Sequence, residues 1–376
     1  MDFEFTDDQL ALRDNARAVL EAACPPALVR SVYDGTGDGS ALWRRLVELD
    51  WPALGIAEAH GGLGLGPLEV GIVVEELGRA VAPSPYLATV TQLVPAIRES
   101  GASVLLADVA AGSCTGTLAL AEQGVWRLDA VATTARRSES GWVLDGTKSH
   151  VLDGASADWL AVVARLAGSD GPDGLGVLLV PAAAVKAEPI PVIDPTLPMA
   201  TVTLDGVTVA EDAVLVEPGD PAATRVIERA LQEAVTAMAL STTATCRHIF
   251  EMTLQYAKDR EQFGRPIGSF QALKHRLADV YLAVERAASL AYFAALTIAE
   301  DDPRRAVAAS MAKAAAGECQ RLVVRDGLQL HGGIGFTWEH DLHFLLKRAA
   351  SGDLLLGTAA THRVLLAQLL GLEASA

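Results

Sequence analysis

YAKDREQFGRPIGSFQALKHRLADVY, residues 256–281, starts in one helical pattern and finishes in another. Arg260 closes the first helix, and Gly264 permits a turn that a Cβ would obstruct. Beyond it Leu273, Leu277, Val280, Val284, Ala287, Ala291, Ala295 and Ile298 recur every three or four residues, as one face of a long helix requires. A second stripe follows through Ala308, Met311, Ala315, Cys319 and Leu322. Long helices with small apolar faces predict a bundle of about four, often completed by other subunits.

Upstream the pattern changes. From about 116 to 215 the chain reads as strands, with WLAVVARL and GVLLVP as buried ones. WVLDG and TVTLDGVTV each carry an Asp-Gly turn signal, and Val202, Leu204, Val207 and Val209 alternate with polar residues. No helical crossovers separate these strands, so a small all-β domain is expected rather than a parallel sheet. Before it lies a helical region that opens on Thr6-Asp7-Asp8-Gln9, a capping box. Glycines 61, 62, 64 and 66 lack the spacing of a dinucleotide loop and read as an interhelical turn. The expected architecture is α+β in three parts: helices over 1–115, β structure over 116–220, and a helical bundle over 221–376.

Composition narrows the function. The 376 residues are 51% hydrophobic and 20% charged, as in an ordinary globular protein. A formal net charge of −17 opposes nucleic-acid binding, which needs clustered Lys and Arg. Four cysteines without a CxxC fit reduced thiols in the cytoplasm, and the acidic start MDFEFTDDQ is unlike a signal peptide. No uninterrupted apolar run reaches the roughly 18 residues of a membrane span. His331, His340, His343 and His362 lack the partners of a tetrahedral metal site, so no metal is expected and they read as surface or capping groups.

A second segment, DGLQLHGGIGFTWEHDLHFLLKRA at 326–349, completes the signal. R-x-x-F-G at Arg260 and Q-x-x-G-G-x-G-F at Gln329, 69 residues apart, together resemble the acyl-CoA dehydrogenase family. GGLGLGPLEVGIVVEELGRAVAPSPYLAT near the N-terminus and the order of elements extend the likeness across the chain. The resemblance implies an N-terminal helical domain, a small β-barrel-like middle domain and a C-terminal four-helix bundle. It also implies FAD and α,β-desaturation of an acyl-CoA thioester, with an electron-transfer flavoprotein or similar acceptor.

The residues match that chemistry. A guanidinium at Arg260 can grip a pyrophosphate with two parallel hydrogen bonds. Phe263 offers a flat apolar surface, Gln271 and Gln329 neutral amides, and Gly332 and Gly333 close backbone approach. In the family these groups, with Gln262, reach across an interface to a neighbour's FAD, and Thr358 belongs to the flavin site. The partner is then a second copy or a related chain, as in bacterial members that form hetero-oligomers of two related chains.

One part is missing. The family's usual base is a glutamate just before a Gly-Thr pair, and here Leu356 precedes Gly357-Thr358. An alternative family position, 26 residues before Arg260, holds Ala234, with Glu233 beside it. Glu233 and Asp353 are therefore the candidate catalytic carboxylates. The flavin-facing strand positions also differ: Ala121-Glu122-Gln123 stands for Thr-Glu-Pro, and His150 and Leu152 stand for a Trp-x-Thr element.

Overall fold

The computed structural model describes residues 4–372, and they divide into two compact units. One takes the chain through Gly39, the stretch Pro67–Pro83 and everything from Val235 onward. The other takes Ser40–Gly66 and Ser84–Ala234.

In the first unit α1 (Asp7–Ala23) begins with the expected capping box: Gln9 N–H donates to Thr6 Oγ1 at 3.2 Å, and Thr6 N–H donates back to Gln9 Oε1 at 3.1 Å. Helix α2 (Pro26–Tyr33) follows. The second unit then contributes α3 (Ser40–Glu48), and α4 (Pro67–Arg79) returns to the first. Gly61 and Gly64 are left-handed, and Leu63 and Leu65 bond back to Ala53 and Leu54. That closes the glycine-rich stretch as a turn.

The second unit continues with α5 (Tyr86–Ala88), a π-turn at Thr89–Leu93, α6 (Val94–Glu99) and α7 (Leu106–Ala110). Eight strands follow: β1 (Gly116–Ala119), β2 (Thr134–Ser138), β3 (Gly141–Leu152), β4 (Trp159–Leu166), β5 (Leu175–Pro181), β6 (Lys186–Ile190), β7 (Met199–Val209) and β8 (Val214–Val216). They pair in the order β6-β7-β3-β2-β4-β5-β8, with β1 also on β4. Strands β4 and β5 are buried on both faces. Leu160, Val162, Leu178 and Val180 point into one core, and Ala161, Val163, Val177 and Leu179 into the other. The second core is shared with helical residues such as Leu93, Ile97 and Val226.

Two expectations need correction. Neither Asp-Gly pair is a turn: β3 runs through Asp145-Gly146 and β7 through Asp205-Gly206. They lie at a register shift between those two strands, and Asp145 Oδ1 accepts Gly206 N–H at 2.8 Å. The flexible glycines make β-bulges. The sheet also contains parallel pairs, β1 with β4 and β2 with β4. A 3-10 turn at Leu128–Ala130 and the β2–β3 hairpin carry the chain across between β1 and β4, doing without an α-helix.

Helix α8 (Ala223–Asp259) leads to a two-stranded ribbon, β9 (Glu261–Gln262) and β10 (Arg265–Pro266). The first unit then closes with α9 (Gln271–Ala299), α10 (Arg305–His331), α11 (Leu342–Leu354) and α12 (Ala359–Leu369). The stripe expected on α9 is buried from Leu277 to Ile298. Helix α10 is buried around most of its circumference, Ser310, Lys313 and Gln320 included, which makes it central to the bundle. Glu285 and Arg286 interrupt the apolar run of α9, yet by length and overall composition that helix could cross a membrane; half of its apolar window is buried in the protein.

Candidate functional site

The two motifs meet at one end of the bundle. Ala257 of α8, Leu277 of α9 and Leu330 of α10 form a common core with Phe250, Leu254 and Leu273. Tyr256 stacks on His331 with ring centres 4.6 Å apart. From this base the β9–β10 ribbon projects. Phe263 and Gly264 are both left-handed at its tip, and the Phe263 side chain is 91% exposed. The ring stands edge-on to Phe270, with centres 6.1 Å apart, and leaves most of its surface open to a ligand or a neighbouring chain.

Arg260 and Gln262 in the same segment are exposed, as are Gln271 and Gln329 on α9 and α10. Gln271 opens α9 and approaches His275 at 3.1 Å. Gln329, on the last turn of α10, lines an open depression with Arg276, Asp279 and Arg325. Gly332, with φ +63°, and Gly333 have open space where a Cβ would stand. The donors, the bare backbone and the exposed ring suit a ligand with phosphate and flat aromatic parts.

Thr358 and Asp353 lie elsewhere. They sit beside Lys313, sixteen residues before Gln329, or about 24 Å along α10 at 1.5 Å per residue. Thr358 is the N-cap of α12 and accepts Thr361 N–H at 3.3 Å. Asp353 is buried. Its Oδ1 accepts Ala359 N–H at 3.0 Å, and Gln320 and Arg321 reach its Oδ2 at 3.4 Å each. Leu356 is left-handed at φ 60° and only 7% exposed. Its carbonyl accepts from His362 Nε2 at 2.9 Å.

Beneath this loop Lys313, fully buried, donates to the carbonyls of Asp353 at 2.9 Å and Gly357 at 2.6 Å. Burial pulls its ammonium down to about 7, against the opposing charge of Asp353. Burial likewise lowers His362 to about 4, although its bond to Leu356 favours the charged ring. The sequence reading missed Lys313, and it placed the histidines at the surface or at caps. His331, His343 and His362 are buried, and each bonds a backbone carbonyl. They cap, but from inside.

In the second unit Glu233 forms an ion pair with Arg98, and its side chain is 11% exposed. Arg98 also reaches Glu99, which binds Arg229 at 2.5 Å. The strand positions expected to face a flavin form a separate ledge. Glu122 accepts from Ala132 N, Thr133 N and the buried Lys148 Nζ at 2.6–2.9 Å. Burial lowers Lys148 to about 8 even though Glu122 pulls it upward. Gln123 and His150 are both left-handed. The His150 ring sits 5.7 Å from Trp126, and its buried Nδ1 has no hydrogen-bond partner among the described residues.

Comparison with known proteins decides the family. Residues 6–116 match the N-terminal domain of acyl-CoA dehydrogenases, and residues 224–371 match the C-terminal domain. Acyl-CoA dehydrogenase IpdE2 of Mycobacterium tuberculosis is 32% identical over 93% of each chain. The chain belongs to the acyl-CoA dehydrogenase family. A Tcur3481–Tcur3483 steroid ACAD variant superposes with a TM-score of 0.86 at 32% identity, covering 98% of this chain and 99% of that one. The ChsE4–ChsE5 complex from Mycobacterium tuberculosis gives 0.89 at 27% identity over the whole of both chains. FAD is the cofactor of acyl-CoA dehydrogenases. The exposed Phe263, the open backbone at Gly332 and Gly333, and the donors around them fit its adenosine and pyrophosphate end.

Proposed function

We propose that this chain is one subunit of a hetero-oligomeric acyl-CoA dehydrogenase, lending dinucleotide-holding groups to a related chain that supplies the catalytic base. The observation that carries the reading is Leu356, an apolar side chain held in a tightly bonded loop at the position of the family's glutamate. Positioned acid–base catalysis is worth roughly 10² to 10⁴ in rate, so leucine there removes most of this chain's own turnover.

The two candidate replacements are already engaged. Glu233 is paired with Arg98, and Asp353 caps α12 and lies against α10. Taking a proton would cost either carboxylate the charge that those bonds favour. The ledge at Gln123, His150 and Leu152 lacks the hydroxyl expected beside a flavin ring. Arg260, Gln262, Phe263, Gln271, Gln329, Gly332 and Gly333, by contrast, are well placed to hold FAD for a neighbour, and Thr358 keeps its cap. When bound, FAD supplies the hydride-accepting chemistry.

IpdE2 is an acyl-CoA dehydrogenase, and the ChsE4–ChsE5 and Tcur3481–Tcur3483 structures each pair two chains. The steroid ACAD among them supports a CoA thioester with a bulky, steroid-like acyl group as substrate, with an electron-transfer flavoprotein or similar acceptor.

The test substitutes Arg260→Ala in this chain alone and leaves its copurifying partner native. The complex should stay assembled, bind FAD about 10- to 100-fold more weakly and regain turnover at high FAD, as loss of a charge-assisted contact predicts. Unchanged FAD affinity would reject the lending role.

A further inference from the structure

We propose that Lys313 is a positioning residue: from inside α10 it clamps the Asp353–Thr358 loop and fixes the backbone at Leu356, whatever side chain stands there. The loop's function rests on the reading above; the clamp itself does not.

The geometry makes the case. A single ammonium, fully buried, bridges two carbonyls four residues apart, Asp353 at 2.9 Å and Gly357 at 2.6 Å. Between them Leu356 holds a left-handed conformation that non-glycine residues rarely adopt. Such strain persists only where neighbours over-determine it. Here His362 holds the Leu356 carbonyl from α12, and Asp353 holds Ala359 N–H from α11. Lys313 is the member that ties both ends of the loop to the central helix. None of these bonds uses the side chain at 356. Loss of the family's glutamate therefore leaves the loop's shape in place.

Hydrogen–deuterium exchange of the full chain reads the clamp directly. Lys313→Met keeps the length of the side chain and removes its donors. Exchange across residues 354–361 should rise at least tenfold, while residues 284–298 of α9 change less than twofold. Lys313→Ala should behave likewise, and n-propylammonium in the buffer should restore protection where n-propanol does not. A lysine that only fills space would be rescued equally by both. Unchanged exchange at 354–361 in the methionine variant, a uniform rise across the bundle, or equal rescue by the alcohol would each overturn the proposal. These outcomes concern the loop alone and leave the FAD-lending role to the Arg260 experiment.

Discussion

Lys148 and Glu122 show how single residues hold the β unit's ledge. Their contact is buried, and Glu122 also receives two backbone N–H groups. Removing one member of such a pair leaves the other stranded, which typically costs 3–5 kcal/mol. Glu122→Gln should therefore lower unfolding free energy by about 3 kcal/mol in a urea titration. A loss below about 1 kcal/mol would show the pair to be dispensable.

His362 sets a pH dependence. Its folded value of about 4 lies below the ordinary 6.5, so the unfolded chain binds the proton more readily between those values. The stability it contributes is complete above pH 6.5 and is lost as pH falls toward 4. The gap between 6.5 and about 4 corresponds to about 3 kcal/mol. His362→Gln should flatten that acid limb of the stability curve relative to the native protein. An unchanged limb would assign acid sensitivity to other groups.

At the scale of elements, the packing of α10 against the loop before α12 decides what Gly317 tolerates. Helix propensity alone favours Gly→Ala by about 1 kcal/mol. A Cβ at 317, however, would clash with Asp353 Oδ1 and stand 2.9 Å from Ala359 Cβ. Overpacking of this kind costs about 1–3 kcal/mol. Gly317→Ala should therefore be net destabilising, with a lower melting temperature; a higher one would mean that the loop yields freely.

Elements also show where reading the sequence succeeds. The Thr6 capping box, the α9 stripe and the buried β4 and β5 are local patterns, and each is present as read. The paired motifs at Arg260 and Gln329 were legible because their residue types and separation are unusual together. The two Asp-Gly pairs misled because a β-bulge and a hairpin turn call on the same glycine freedom, and only the partner strand separates them. Lys313 was invisible for a similar reason. In an alanine-rich helix a lysine looks like a solubilising group, and its burial depends on α11 and α12 arriving from later in the chain. Leu356 was found by counting, but the bonds that hold its backbone were not.

For the whole molecule, the net charge of −17 coexists with exposed arginines and neutral amides in the Arg260 and Gln329 motifs. Local donors, rather than total charge, determine what that end of the bundle can hold. Residues 6–116 and 224–371 both match the family, so the family's fold is kept in this acidic chain.

FAD content measured against each chain tests this most directly, using the complex that copurifies with this protein from its host and the protein purified alone. The account predicts one FAD for each pair of chains in the complex, with little FAD and no thioester-dependent turnover in the isolated protein. One FAD per chain in the isolated protein, with turnover of an acyl-CoA thioester, would contradict it.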